Sequence, residues 1–292
     1  GWSKWEDLGF QEHVQSWSRV DYLMSRGPEK FGVFLQELKK LPPMLGEKPI
    51  DQATIAARQT QLLMQIWKLD ADTFDRDWRK WVLKPAVFVA GLGPAAWLVY
   101  AALTGNLSVN PLSDITNETG LWTIRFICVT LAATPLRRLT GWNDVIRFRR
   151  MLGLFAFFYG SLHFLTYVIA DRFAALDFPD GIVSWTTVRN LVASVGEDIY
   201  KRPFITIGFT AFVCMVPLAL TSTAGMIRRL GGRRWRALHR LIYVTGVAAV
   251  VHYWWLVKAD VTDPRFYAII VAVLLGVRVY YARPRASVPA RT

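Results

Sequence analysis

Three of the four histidines lie within or at the edges of long apolar stretches: His163, His239 and His252. An ionisable side chain inside a membrane is costly and usually has a function. Imidazoles on separate membrane helices can bind a heme iron from both faces, and this ligation leaves no open iron position, which suits electron transfer. The histidines therefore predict an electron-carrying heme protein of the membrane.

Each histidine also has a simpler explanation. A single intramembrane imidazole is explained as well by a hydrogen bond to a neighbouring carbonyl or hydroxyl group. His239 stands among arginines, where solvation or contact with lipid phosphate would account for it, and His13 is expected at the surface. A zinc site is disfavoured because no third and fourth ligand accompany His163 and His252 at suitable spacing.

The composition supports a membrane location. The 292 residues are 53% hydrophobic, with a mean hydropathy of +0.24, although the first eighty residues are polar. A net charge of +13 can indicate nucleic-acid binding, but here the arginines separate apolar runs long enough to cross a bilayer. We therefore expect membrane lipid, and no nucleic acid, around this chain.

Six apolar stretches have about the length that a bilayer core demands. They cover residues 85–104, 121–136, 151–170, 204–225, 241–257 and 266–281. The fold prediction is all-α: a six-helix transmembrane bundle over residues 81–285, with an N-terminal helical extension (1–80) and a tail (286–292).

The arginines predict how the bundle is oriented. They collect between spans two and three, between spans four and five, and after span six, which places all three clusters on one side by parity. The clusters are Arg137, Arg138, Arg147, Arg149 and Arg150, then Arg228, Arg229, Arg233, Arg234, Arg236 and Arg240, then Arg283 and Arg285. Acidic residues dominate the opposite loops. The arginine side, with both ends of the bundle, should be cytoplasmic.

The same orientation sorts the histidines by depth. His163 lies 13 residues beyond Arg150, and His252 lies 12 beyond Arg240, which is about 20 Å and about 18 Å from the cytoplasmic edge. His239 lies about 20 Å below His252, on a face about 140° away if the helix is straight. We expect His163 and His252 to bind one heme iron near the outer leaflet, with His239 a candidate ligand for a second heme.

Small residues accompany both histidines of the pair. Gly153 and Gly160 share a helical stripe with His163, and Gly246 and Ala249 precede His252. A groove for a flat macrocycle is one interpretation of these positions, and ordinary close packing of helices is the other.

Several ordered motifs carry a family resemblance. They are residues 110–120 (NPLSDITNETG), 134–138 (TPLRR), 149–154 (RRMLGL), 157–167 (FFYGSLHFLTY), 198–208 (DIYKRPFITIG), 217–222 (PLALTS) and 235–254 (WRALHRLIYVTGVAAVVHYW). Over roughly residues 85–285 the chain resembles the MsrQ family, the heme-binding membrane subunits of bacterial periplasmic methionine-sulfoxide reductase systems. That family belongs to the ferric-reductase-like transmembrane proteins.

The resemblance implies an electron-transfer subunit of the bacterial inner membrane that is not itself the site of methionine-sulfoxide reduction. It implies heme b, one or two per chain, and a periplasmic molybdopterin reductase as electron acceptor. The implied donor is a cytosolic NAD(P)H-dependent flavin reductase or a quinol, with FMN or quinone as a further cofactor. His163 matches the family histidine on the third helix, and His252 and His239 match those on and before the fifth. The outer loop between Asp171 and Lys201 is longer than is usual in the family.

Basic residues supply further candidates for cofactor binding. Arg149 and Arg150 could contact heme propionates or a flavin phosphate, since guanidinium groups bind oxyanions through two parallel hydrogen bonds. Their other interpretation is that they only hold the loops inside. Lys201 and Arg202 lie on the predicted outer side, against the positive-inside rule, and are candidates for an outer propionate or for the periplasmic partner.

Two alternative functions remain open. One is a stand-alone transmembrane ferric or metal reductase, which the lack of an FAD and NADPH domain after span six disfavours. The other is a non-redox transporter or scaffold whose histidines relay protons or pack.

Residues 1–80 carry no recognisable chemistry. Helical spacing of apolar residues over 15–41, 54–69 and 72–84, with a break at Pro42, Pro43 and Gly46, predicts a helical segment. No HExxH motif, phosphate loop or cysteine cluster occurs in it. The segment is faintly similar to the C-terminal helical part of envelope metallopeptidase-like domains, and the tail of a fused domain is one interpretation. An extracytoplasmic origin would conflict with the cytoplasmic N-terminus expected above.

Overall fold

A computed structural model describes residues 10–41, 44–45, 48–49, 51–173, 185–257 and 259–282. The chain divides into two compact units, Gly1–Ala90 and Gly91–Thr292. The domain limits expected from the sequence, at residues 80 and 285, stay predictions. The expected tail, 286–292, and the break at Pro42, Pro43 and Gly46 lie outside the described residues.

The first unit is helical. Its elements are α1 (Phe10–Ser25), α2 (Pro28–Lys39), the two-residue strands β1 (Met44–Leu45) and β2 (Lys48–Pro49), α3 (Gln52–Trp67) and the first part of α4 (Ala71–Leu103). A single helix was expected over 15–41, but it is divided into two at Gly27. The φ of Gly27 is 134°, which is not helical and which glycine adopts more readily than other residues. The Asp51 side chain caps α3 by accepting a hydrogen bond from the Thr54 amide at 2.8 Å.

This unit has its own apolar core. Leu62 is 1% exposed and packs with Phe34 and Trp67. The start of α4 is held by the Trp78 indole, which donates to Ser18 Oγ at 3.0 Å. The side chain of His13, on α1, is outside the description.

The second unit contains predicted spans two to six and most of span one, from residue 91 onward. After α4 come α5 (Pro111–Thr140), α6 (Val145–Thr166) with a π-helical turn (Tyr167–Phe173), α7 (Trp185–Lys201), α8 (Pro203–Leu220), α9 (Ala224–Leu238), α10 (Leu241–Leu256) and α11 (Thr262–Ala282). Apart from the strand pair of the first unit, the described fold is all-α, as expected.

Five of the described helices are long and apolar enough to cross a membrane: α4, α5, α6, α8 and α11. The remaining predicted span, α10, is an apolar helix of 16 residues. At 1.5 Å per residue it is about 24 Å long, short of a hydrocarbon core of about 30 Å. The structure therefore supports a helical membrane bundle with five helices long and apolar enough to cross a membrane, and the count of six stays a prediction.

Two helices between the spans were not expected. One of them is α9, which begins within the predicted span four. That span was expected to reach residue 225, but α8 ends at Leu220. The Thr223 side chain caps α9 by accepting a hydrogen bond from the Met226 amide. Helix α9 is basic. The other unexpected helix is α7, which lies in the predicted outer loop between Asp171 and Lys201. Their short polar and charged sequences lack the long apolar run by which the spans were recognised.

The core of the second unit lies where α5 and α6 pack together and meet α8 and α10, while α11 packs on α5 and α10. Tyr159 is fully buried there, and its hydroxyl donates to the Gly91 carbonyl at 2.9 Å and accepts from the Ala95 amide at 3.0 Å. Arg125, inside the second span, donates to Tyr267 Oη at 3.1 Å and lies 4.6 Å from the Trp122 ring centre. These contacts offset part of the cost of its charge.

The glycines beside the histidines serve close packing. A Cβ at Gly160 would lie 2.9 Å from Met215 Cε, and one at Gly246 would lie 3.3 Å from Leu131 Cδ1. Both positions are therefore occupied by side chains of neighbouring helices, which favours the packing interpretation over a macrocycle groove at these two residues.

Candidate functional site

His163 on α6 and His252 on α10 lie side by side. Their ring centres are 6.1 Å apart, and the ring planes are inclined by 77°. The chain separates them by 89 positions, so only the packing of the helices brings them together. Both side chains are partly buried.

Both imidazoles are anchored in the same way. His163 Nδ1 donates to the Thr116 carbonyl at 2.8 Å, and His252 Nδ1 donates to the Phe204 carbonyl at 2.7 Å. A carbonyl oxygen only accepts hydrogen bonds, so the proton resides on Nδ1 in each ring. The Nε2 lone pair is then available to a metal, which is the usual arrangement of metal-binding histidines.

Two glycines allow this anchoring, and sequence reasoning missed both. Gly120 lies one turn after Thr116 on α5, and Gly208 lies one turn after Phe204 on α8. A Cβ at Gly208 would lie 2.6 Å from His252 Nδ1, and one at Gly120 would lie 3.1 Å from His163 Nδ1. The available signal was the glycine that ends each of two quoted motifs, residues 110–120 and 198–208.

The pair has the spacing that a shared iron requires. Two metal–imidazole bonds of about 2 Å, drawn in opposite directions from one iron, place the ring centres about 6 Å apart. The observed 6.1 Å matches this separation. In the part of the chain that the structure describes, no group of three or more His, Cys, Asp or Glu side chains could hold a metal ion. These residues therefore fit a bis-imidazole heme and not a zinc site.

On the predicted outer side, Asp198 joins the elements around the pair. This carboxylate, 6% exposed, accepts from the Tyr167 hydroxyl at 2.7 Å and forms ion pairs with Arg172 and, at 3.3 Å, with Arg202 Nε. Tyr167 lies one turn beyond His163. Sequence reasoning did not single out Asp198.

Lys201 and Arg202 are the candidates predicted for an outer propionate or for the periplasmic partner, and each has a carboxylate partner on α7. Lys201 Nζ lies 2.5 Å from Glu197 Oε1, and both side chains are exposed. Arg202, half exposed, pairs with Asp198 and precedes Phe204 by two residues. Arg202 thus lies at the start of the helix that anchors His252.

His239 belongs to a separate cavity of about 280 Å³. It ends α9, its ring centre lies 3.9 Å from that of Trp235, and Nε2 lies 3.1 Å from Thr221 Oγ1. Because the chain turns between α9 and α10, the straight-helix angle expected between His239 and His252 does not apply. Burial, with a smaller contribution from the charge of Arg149, lowers the pKa of His239 and so favours the neutral ring.

The cavity is strongly cationic. It is lined by Arg149, Arg150, Arg236, Arg240 and His239, together with Trp235 and Tyr243. Its lining includes neither His163 nor His252. The predicted site residues therefore form three groups: the histidine pair, the cavity residues, and the outer pair Lys201 and Arg202.

Comparison with known proteins identifies the family. Residues 119–250 match the family described as the ferric reductase like transmembrane component. A protein of Ralstonia nicotianae is 52% identical over 198 residues, which cover 67% of this chain and 84% of the relative. The chain belongs to the MsrQ family.

Other MsrQ proteins are similarly close. One from Herminiimonas arsenicoxydans is 48% identical over 208 residues, covering 70% of this chain and 88% of its own. One from Azospira oryzae is 45% identical over 198 residues, covering 68% and 78%. These relatives are named heme-binding subunits of protein-methionine-sulfoxide reductase. No solved structure matches the chain.

Membership of the MsrQ family confirms the resemblance predicted from the motifs. Together with the five apolar helices, it makes the chain a multi-pass membrane protein.

Proposed function

We propose that this chain is a b-type heme protein of the bacterial inner membrane. It passes electrons from a cytoplasmic flavin or quinol donor to a periplasmic molybdopterin methionine-sulfoxide reductase. The observation that carries the proposal is the imidazole pair His163 and His252, anchored through Nδ1 and 6.1 Å apart. The names of the relatives support the heme and the reductase system.

The residues of this chain have distinct tasks in the proposal. Heme iron, when bound, supplies reversible one-electron chemistry. His163 and His252 would hold it through their Nε2 atoms. The carbonyls of Thr116 and Phe204 fix the tautomer and orientation of the rings and increase their basicity as ligands. A sixth span formed by α10 would carry His252 between helices that cross the membrane fully.

The cavity that contains His239 is proposed as the site where electrons enter from the donor. Its guanidinium groups suit a propionate or phosphate, and Trp235 offers an aromatic face. A second heme held by His239, or bound FMN or quinone, would each use this lining. His239 would have to exchange its hydrogen bond with Thr221 for the iron.

Visible absorption of the purified chain tests the heme pair. We expect reducible Soret and α-bands, strongly diminished in His163→Ala and His252→Ala and unchanged in His13→Ala. Wild-type protein without these bands, or full heme content in either variant of the pair, would contradict the proposal.

Heme content per chain in His239→Ala tests the second heme. Loss of one heme, with the spectrum of the other retained, would support ligation by His239. Unchanged heme content would remove His239 from the ligands while leaving the pair intact.

Reoxidation of the reduced protein tests the electron acceptor. We expect rapid reoxidation by the periplasmic molybdenum reductase with methionine sulfoxide, and slow reoxidation by ferric chelates. The reverse order would favour a stand-alone ferric reductase.

A further inference from the structure

Arg278 is a charged residue inside the apolar helix α11. Its Nη2 donates to the Leu131 carbonyl at 2.5 Å, and its guanidinium carbon lies 5.1 Å from the centre of the Tyr243 ring. The Nε and Nη1 atoms are buried and make no hydrogen bond of standard geometry among the described residues, and the Tyr243 hydroxyl is the nearby polar group that acts on this guanidinium. Leaving such charged donors unpaired is expensive, so these two atoms mark a place where an acceptor is missing.

The neighbouring charges are also positive. Arg138 and Arg149 both lie close enough for their charges to act on Arg278. None of the three forms an ion pair with an Asp or Glu in the described part of the chain. Three guanidinium groups without a carboxylate repel one another, and an anion between them would relieve that cost.

The location indicates where the anion comes from. Arg138 lies in the last turn of α5, Arg149 near the start of α6 and Arg278 near the end of α11. These ends lie on the predicted cytoplasmic side. Beside them, Tyr280 and Tyr281 are exposed, and the Tyr281 ring centre lies 5.0 Å from the guanidinium carbon of Arg138. Exposed aromatic side chains at a helix end are typical of the membrane interface.

We propose that Arg278, with Arg138 and Arg149, binds the phosphate of an anionic phospholipid from the cytoplasmic leaflet. Two phosphate oxygens match the parallel N–H groups that a guanidinium offers. Nε and Nη1, the two donors without a partner, lie on opposite edges of the guanidinium, and each forms a parallel pair with the second N–H of Nη2, whose first N–H donates to Leu131. Basic pockets between membrane helices on the cytoplasmic side are suited to such headgroups. Free phosphate has the same oxyanion chemistry but no acyl chains to lie along α11. The site includes neither His163 nor His252, and it shares Arg149 with the cavity proposed for the electron donor.

The test compares thermal unfolding of the full chain in vesicles of phosphatidylcholine alone and with added phosphatidylglycerol. Phosphatidylglycerol should raise the Tm of the wild type and of Arg229→Gln, which removes an exposed charge on the same predicted side. The rise should be absent in Arg278→Gln. In Arg278→Lys it should be smaller, because lysine keeps the charge and loses the parallel donors.

Three results would overturn the proposal. They are an equal Tm in both vesicles, an undiminished response in Arg278→Gln, and an equal rise produced by inorganic phosphate in phosphatidylcholine, which would make free phosphate the occupant. If Arg278→Gln does not fold, Arg138→Gln and Arg278→Lys carry the comparison. Heme absorbance, recorded in the same samples, separates a failure of this site from a failure of the proposed function.

Discussion

Gly208 and Gly120 leave space for the imidazoles of His252 and His163, because neither glycine has a Cβ. Each lies one turn after the carbonyl that accepts from a histidine, and the imidazole occupies the space where a Cβ would be. The two sites differ in tightness, since the Cβ contact would be 2.6 Å at Gly208 and 3.1 Å at Gly120. The anchoring of the pair therefore depends on two backbone positions as much as on the histidines.

Gly208→Ala should weaken heme binding by about 10- to 100-fold, the usual effect of disturbing an outer partner of a metal ligand. Gly120→Ala should weaken it less, because a shift of a few tenths of an ångström relieves the contact. Gly276→Ala is the matched control, with nothing within 4 Å of the added Cβ. Heme titration of the apoprotein measures all three. Equal affinity in Gly208→Ala and Gly276→Ala would contradict the assigned role.

The angle between the imidazole planes also has a measurable consequence. The planes are inclined by 77°. Nearly perpendicular axial imidazoles leave the iron d orbitals close in energy, so the oxidised protein should give a highly anisotropic low-spin EPR signal with a large g value. A rhombic spectrum typical of parallel planes would show that the rings rotate when heme binds.

At the scale of elements, Asp198 ties three helices together. It lies on α7, accepts from Tyr167 at the end of α6 and pairs with Arg202 at the start of α8. Helix α6 carries His163, and α8 carries the Phe204 carbonyl that anchors His252. A single buried carboxylate therefore helps to set the distance between the two imidazoles.

Asp198→Asn should lower the free energy of unfolding by about 3–5 kcal/mol, because it leaves Arg172 and Arg202 without their buried counter-ion. It should also lower heme retention and shift the heme midpoint potential, whereas Asp198→Glu should recover part of both. The control Glu197→Gln removes an exposed ion pair and should change neither. Thermal unfolding and optical redox titration provide the measurements. A midpoint potential unaltered in Asp198→Asn would limit this residue to stability.

At the scale of the whole molecule, the arginines predict which side faces the cytoplasm. The loop after α5 and the basic helix α9 fall on the arginine-rich side by parity, and the loop after α4 falls on the other. The proposed donor, acceptor and lipid sites all depend on this orientation.

Cysteine labelling in intact cells tests the orientation. In a chain carrying Cys128→Ala and Cys214→Ala, Asn106→Cys should react with a membrane-impermeant maleimide. Asn143→Cys should react only after the membrane is permeabilised. Both residues are exposed, so a difference reports sidedness and not burial. The opposite pattern would invert the proposed direction of electron flow.

The sequence was most informative where the signal is local. Long apolar runs predicted membrane helices because a bilayer demands length and composition from each helix separately. The match in depth between His163 and His252 followed from counting residues along such helices. The prediction of span four was wrong at its end, since a capping threonine and a short basic helix interrupt the pattern there.

By itself, then, the sequence determined the helical membrane character, the family and the histidines worth testing. Only the tertiary structure decided what those histidines touch. The Thr116 carbonyl lies 47 positions from His163, and Leu131 lies 147 from Arg278. Contacts of this kind arise from the packing of separate helices, and no periodicity within one helix records which backbone carbonyl or missing Cβ a neighbouring helix will present.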